Sequence, residues 1–124
     1  MTALKPAEPL SVQGDAEELR QLLVNLVLNA VDATSGHEQS PARIVVALEP
    51  IDAGRCALSV RDSGPGPSAD VSARLFEPFV TGKPEGTGLG LFVARQIAED
   101  HGGTIRWNRA DGMTEFTVEL PLEK

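Results

Sequence analysis

Between Ala16 and Ala33 apolar residues recur at Leu19, Leu22, Leu23, Leu26, Val27, Ala30 and Ala33, the spacing of one face of a helix. Asp15 stands as its N-cap with Glu18 three residues on, a capping-box-like start, and Gly36 supplies the stop. Residues 35 to 42 then read as loop. Two runs rich in Val, Ile and Leu, Arg43 to Glu49 and Arg55 to Arg61, are joined by Ile51-Asp52-Ala53-Gly54 and predict an antiparallel hairpin. Thr104 to Asn108 and Thr114 to Leu120 predict a second, turned by Ala110-Asp111-Gly112. In its last strand Phe116, Val118 and Leu120 alternate with Glu115, Thr117 and Glu119, so one face of the sheet meets a core and the other meets water. Helices therefore cover one side only. The second helix runs from about Leu89 to His101, with Leu89, Phe92, Val93 and Ile97 on one stripe and Gly102 as its C-terminal punctuation. The predicted fold is α/β of the α+β kind: a two-layer sandwich of a mixed, mostly antiparallel sheet with helices on one face.

A chain of 124 residues fits one domain with a single core, so no disulfide or structural metal is needed. Its hydrophobic fraction of 41% is ordinary for a globular protein, and no apolar run approaches the roughly 18 residues of a membrane helix. A single cysteine, Cys56, excludes an internal disulfide or a cysteine-based metal site and makes a reducing cytoplasm the default compartment. The net charge of -7, with Lys and Arg scattered, argues against nucleic acid as a partner and means that a bound polyphosphate needs local neutralisation. Residues 1 to 11 read as linker or a truncated first strand, 12 to 121 as the domain and 122 to 124 as a tail.

Candidate chemistry gathers at four places. Asn25, Asn29 and Asp32 fall at i, i+4 and i+7 on the first helix and so share one side. Asn is a mediocre helix former, and its amide oxygen suits a hard cation such as Mg²⁺. Asp62-Ser63-Gly64-Pro65-Gly66 follows a strand directly. It is either a plain turn or a fixed carboxylate with glycines that let a flat ring pass, an acceptor that favours adenine over guanine. Leu75-Phe76-Glu77-Pro78-Phe79 precedes a loop with Thr81, Gly82 and Lys83, readable as core packing or as the edge of a mobile lid bearing a phosphate-seeking lysine. Gly86-Thr87-Gly88-Leu89-Gly90-Leu91 opens the second helix and exposes consecutive backbone N–H groups to an anion. It matches neither the dinucleotide fingerprint nor the Walker pattern. His37, beside Glu38, reads as a solvated loop residue, and His101 as a cation favoured by the helix dipole.

These segments, in this order, resemble the catalytic ATP-binding domain of bacterial sensor histidine kinases, in the superfamily with gyrase, chaperone and mismatch-repair ATPases. Leu22 to Ala30 looks like the asparagine box, Asp62 to Gly66 the first glycine box, Leu75 to Phe79 the phenylalanine box and Gly86 to Leu91 the second glycine box. Gly112 to Phe116 is similar to the segment whose threonine, here Thr114, lies near the adenine. The resemblance implies a Mg-ATP site. Asn29 is its metal ligand, Asp62 receives the adenine amine, Gly64 and Gly66 line the base, and Gly86, Gly88 and Gly90 face the phosphates. Asp32, Phe76, Phe79, Thr81, Thr87, Leu89 and Leu91 complete the implied pocket, with Lys83 reaching the terminal phosphates. Hydrolysing relatives carry a glutamate where this chain has Asn25, which cannot act as a base for water. That departure implies a kinase that holds ATP without wasting it, with Asn25 supporting the metal or phosphate shell.

The implied reaction is transfer of the γ-phosphoryl of ATP to a histidine on a dimerisation domain, with a response regulator downstream. The phosphoacceptor hairpin is not found in this sequence. The domain is expected to be cytoplasmic, monomeric when isolated and without membrane contact of its own. Two other readings stay open: a serine kinase of the anti-sigma-factor type, and a module that senses ATP or docks partners without catalysis. The lid from Val80 to Glu85 is short, and glycines that hinge it to the second helix predict disorder over residues 80 to 88 whenever nucleotide is absent.

Overall fold

A computed structural model describes residues 2–4, 10–35, 42–78 and 89–123 of the chain. Five strands form one sheet in the order β1-β2-β3-β5-β4. They are β1 (Thr2–Leu4), β2 (Ile44–Asp52), β3 (Arg55–Asp62), β4 (Thr104–Ala110) and β5 (Met113–Pro121), with helices α1 (Ala16–Thr34), α2 (Ala69–Ser72) and α3 (Gly90–Asp100). Among the described residues only β1 pairs parallel, through Thr2 to Leu4 alongside Val45 to Ala47 of β2, and the other pairings are antiparallel. The sheet is thus mixed and mostly antiparallel, as the alternation of polar and apolar residues predicted.

One core lies between the sheet and α1 and α3. Leu22, Leu26 and Ala30 of α1 and Ala94, Ile97 and Ala98 of α3 meet Ile44, Cys56, Val60, Phe116, Val118 and Leu120 from the strands. The opposite sheet face is laced with ion pairs, among them Arg106 to Glu119 at 2.6 Å and Arg61 to Glu115 at 3.7 Å, as suits a face in water. The N-cap of α1 is as predicted: Asp15 Oδ1 accepts from the N–H groups of Glu17 at 2.9 Å and Glu18 at 3.1 Å. The predicted stop at Gly36 lies outside the described residues, and the helix ends at Thr34 with Ser35 extended.

Four differences from the sequence reading have physical causes. The first is in the β2–β3 hairpin, whose turn shrinks to Ala53-Gly54. There the Gly54 N–H, aided by nearby Arg55, holds the Asp52 carboxyl below its usual range. The pairing of β2 with β3 shifts register between Pro50 and Asp52, next to that turn. Second, the second hairpin turns on only Asp111-Gly112, whose φ angles of 55° and 74° match the twist of flanking strands, and so Arg109 and Ala110 belong to β4.

Third, the stripe of α3 keeps two of its expected members, Ile97 buried and Val93 partly buried against the core, but Ala94, Ala98 and Leu91 complete it where Leu89 and Phe92 were expected. Two alanines allow α1 to approach closely, which apolar spacing alone did not reveal. Fourth, His101 does more than close α3: it ties the end of that helix to the start of α1. Its Nε2 accepts the Asp15 N–H at 3.1 Å while Nδ1 lies 2.8 Å from the Ile97 carbonyl. His37 lies outside the described residues.

Candidate functional site

Helix α1 presents Asn25 and Asn29 half-buried and Asp32 exposed along the side that turns from the core toward α3. Asn25 is a strut between the helices: its Nδ2 donates to the Gly90 carbonyl at 3.1 Å, and its Oδ1 accepts from Gln21 Nε2 at 2.6 Å. The asparagine helix is thereby pinned to the last glycine of the 86–90 run. Asn29 lies one turn further on. Among the described residues its half-buried side chain makes no hydrogen bond.

At the C-terminal end of α1 the loop after β3 packs against the helix. Asp62 is the last residue of β3 and only 1% exposed, and its Oδ1 accepts from the Gly64 N–H at 3.0 Å. The strand register sets Asp62 opposite Thr114 of β5, itself 3% exposed. An acceptor-only carboxylate and a hydroxyl therefore sit side by side at one end of the sheet. Gly64 has a second duty that the sequence did not show: a Cβ on it would stand 2.4 Å from the Ala33 carbonyl oxygen. Its missing side chain lets the loop touch α1, and so brings Asp62 close to the asparagine side of the helix. Gly66 has φ 82°, a conformation that L side chains rarely adopt.

Sequence reading missed Arg109. Its Nη1 donates to the Gly64 carbonyl at 2.9 Å and to Thr114 Oγ1 at 2.6 Å, tying β4 to both the loop and β5. The signal was the length of the second turn, since a two-residue Asp111-Gly112 turn places Arg109 in β4 directly opposite Thr114. Phe76 packs edge-on against Phe116, with ring centroids 6.1 Å apart, so its ring is partly committed to the core.

Helix α3 starts with Leu89 as N-cap, whose own side chain makes no capping hydrogen bond, and its first turn carries no acidic residue. By contrast α1 has both a capping Asp and two glutamates. A Cβ on Gly90 would meet nothing within 4 Å, while Leu91 packs against the core. Phe79, Thr81, Lys83, Gly86, Thr87 and Gly88 lie outside the described residues, as does the lid from Val80 to Glu85.

The structure thus brings a buried carboxylate, Asp62, and a buried hydroxyl, Thr114, together at one end of the sheet, and ties α1 to the start of α3 through Asn25. Among the described residues no group of three His, Cys, Asp or Glu side chains could hold a metal ion. A cation near Asn29 would take one amide oxygen from the chain and its other ligands from phosphate and water, the habit of Mg²⁺. Among them, too, no helix is long and apolar enough to cross a membrane.

Comparison with known proteins gives a consistent result. Residues 14–124 match the family described as histidine kinase-, DNA gyrase B- and HSP90-like ATPase. The chain is 42% identical over 115 residues to the C4-dicarboxylate transport sensor protein DctB of Rhizobium meliloti, covering 93% of this chain and 18% of that protein. It spans between 18% and 33% of the length of the first curated relatives it matches. Among solved structures, the catalytic domain of histidine kinase ThkA aligns with a TM-score of 0.81 at 33% identity, over 97% of this chain and 78% of that one. ThkA has also been solved in complex with the response regulator protein TrrA. Full-length ShkA in complex with AMPPNP aligns with a TM-score of 0.78 at 32% identity, over 99% of this chain and 26% of that one.

Proposed function

Because the chain belongs to the histidine kinase-, DNA gyrase B- and HSP90-like ATPase family and has the fold of a sensor histidine kinase catalytic domain, we propose that it binds Mg-ATP for phosphoryl transfer to a histidine. The acceptor histidine belongs to a dimerisation domain of the same protein, and a response regulator takes the phosphoryl group onward. This places the domain in the cytoplasm, where ATP is supplied. The observation that carries the reading is the buried Asp62 carboxylate at the end of β3, held by the Gly64 N–H beside the buried Thr114 hydroxyl.

In this reading each group of residues has one task. Asp62 accepts from the exocyclic amine of adenine, and its burial makes that bond strong, since little water competes. Asn29 offers its amide oxygen to Mg²⁺. The open N-terminus of α3 from Gly90, with Gly86 and Gly88 before it, donates backbone N–H groups to phosphate oxygens, and Lys83 neutralises the terminal charge. Asn25 keeps α1 and the start of α3 in register through the Gly90 carbonyl. Mg-ATP, when bound, supplies the γ-phosphoryl, which exchanges its P–O bond to the β-phosphate for a P–N bond to the acceptor imidazole. The chain's own contribution is positioning and charge neutralisation, as in phosphoryl transfer generally.

Isothermal titration calorimetry tests the binding step. A dissociation constant near 1 μM, roughly -8 kcal/mol, is expected for Mg-ATP. Asp62→Asn swaps an acceptor-only group for an amide and should cost about 1.5–3 kcal/mol, the worth of a hydrogen bond to a charged group. A folded protein that binds no adenine nucleotide refutes the proposal. For transfer, the full-length protein should become phosphorylated in a form lost in acid, as phosphohistidine is, whereas an acid-stable phosphoserine product would overturn the histidine assignment.

A further inference from the structure

Arg109 lies where β4, β5 and the first glycine loop meet, and its bonds fix two neighbours of the base site at once. Gly64 is held from both sides, its N–H by Asp62 Oδ1 at 3.0 Å and its carbonyl by Arg109 Nη1 at 2.9 Å. Gly66 leaves room for the same side chain: a Cβ there would stand 3.0 Å from Arg109 Cδ. The second bond, 2.6 Å to Thr114 Oγ1, has a chemical consequence. A guanidinium only donates and is always protonated, so the Thr114 hydroxyl must accept from it. The single hydroxyl proton is then left to donate.

Adenine offers an amine donor beside a ring-nitrogen acceptor on the edge that Asp62 would meet. Guanine offers the reverse, an oxygen acceptor beside a ring N–H. A carboxylate acceptor paired with a hydroxyl forced to donate therefore matches adenine and mismatches guanine twice. We infer that Arg109 is a positioning residue for purine choice: by clamping the Gly64 carbonyl and orienting the Thr114 hydroxyl, it makes the Asp62–Thr114 pair specific for adenine. This rests on the proposed ATP site.

The test is the ratio of ATP to GTP affinity, measured by calorimetry on the full chain with magnesium present, alongside thermal melts. Arg109→Met keeps the length of the side chain and removes every donor. It should shrink the ATP-to-GTP ratio about tenfold, the size of one lost hydrogen bond of roughly 1.4 kcal/mol. Arg109→Lys, which keeps one charged donor, should restore part of the ratio. Thr114→Val removes the hydroxyl while leaving Arg109 in place, and the same collapse is expected. If Arg109→Met weakens both nucleotides equally, or neither, with Thr114→Val leaving the ratio intact, the assignment is overturned. Wild-type protein that binds no ATP would instead overturn the ATP site itself, while wild-type binding with an unmoved ratio in the variants removes only the role of Arg109.

Discussion

Gly64→Ala separates two explanations of the first glycine loop. If the glycine serves only to let a base pass, an added methyl should lower nucleotide affinity and leave the free protein alone. The structure says otherwise, because the new Cβ would stand 2.4 Å from the Ala33 carbonyl oxygen, 2.9 Å from its carbon and 3.0 Å from Asp62 Oδ1. Ordinary van der Waals contact begins at 3.4 Å, so about 1 Å of separation must be found between the loop and the backbone of α1. Both partners are backbone within a packed layer, and overpacking of this kind costs about 1–3 kcal/mol. At about 4 °C per kcal/mol for a domain of this size, the melting temperature of the nucleotide-free protein should fall by roughly 4–12 °C. Differential scanning calorimetry without nucleotide reads this directly, and calorimetric titration then reports the affinity of what remains folded. A free protein that melts at the wild-type temperature while losing ATP binding would refute the packing argument.

Three other outcomes are expected. Gly90→Ala meets no atom within 4 Å and sits at the first position of α3, so it should stabilise the free protein by about 0.4–1 kcal/mol. If Gly90 faces phosphates, the same variant binds ATP more weakly; a gain in both would remove Gly90 from the site. Leu26→Ala empties a wholly buried position and should cost about 2–5 kcal/mol in urea unfolding, whereas Leu28→Gln, at a position 55% exposed, should stay within about 0.5 kcal/mol. Equal costs would contradict the assigned helix face. Burial pushes the Cys56 thiol up, so the folded state holds its proton more tightly than the unfolded chain. Its contribution to stability is complete below the unfolded value of about 8.5 and is lost as pH rises through the folded one. Denaturation midpoints that decline in alkali for wild type and not for Cys56→Ala check this, and a thiol reagent should label Cys56 only after unfolding.

The elements were legible wherever one short-range pattern sufficed. The stripe from Leu19 to Ala33 marked α1, Asp15 marked its start, and the alternation from Glu115 to Leu120 marked a sheet with one wet face. Helix α2 was not read, because four residues carry no period; its one local sign is Ser68, whose Oγ accepts from the Val71 N–H at 3.4 Å. Val24, Leu28 and Val31 break the amphipathic pattern of α1, being 41%, 55% and 39% exposed. Periodicity alone cannot say which of two apolar stripes the core will take.

Residue chemistry was settled by the sequence itself: an acceptor-only carboxylate at Asp62, amide oxygens at Asn25 and Asn29, side-chain-free backbone at Gly86, Gly88 and Gly90, and no base at position 25. Those are properties of side chains, fixed before the chain folds. Partnership was decided only by the tertiary structure. Asn25 became a strut because α3 starts beside it, Gly64 a packing glycine because the end of α1 lies 2.4 Å from where its Cβ would be, and Arg109 a clamp because a two-residue turn brings it opposite Thr114. Such contacts join residues tens of positions apart, and their existence depends on strand register and helix approach, which are set by how the whole core packs rather than by any local run of residues.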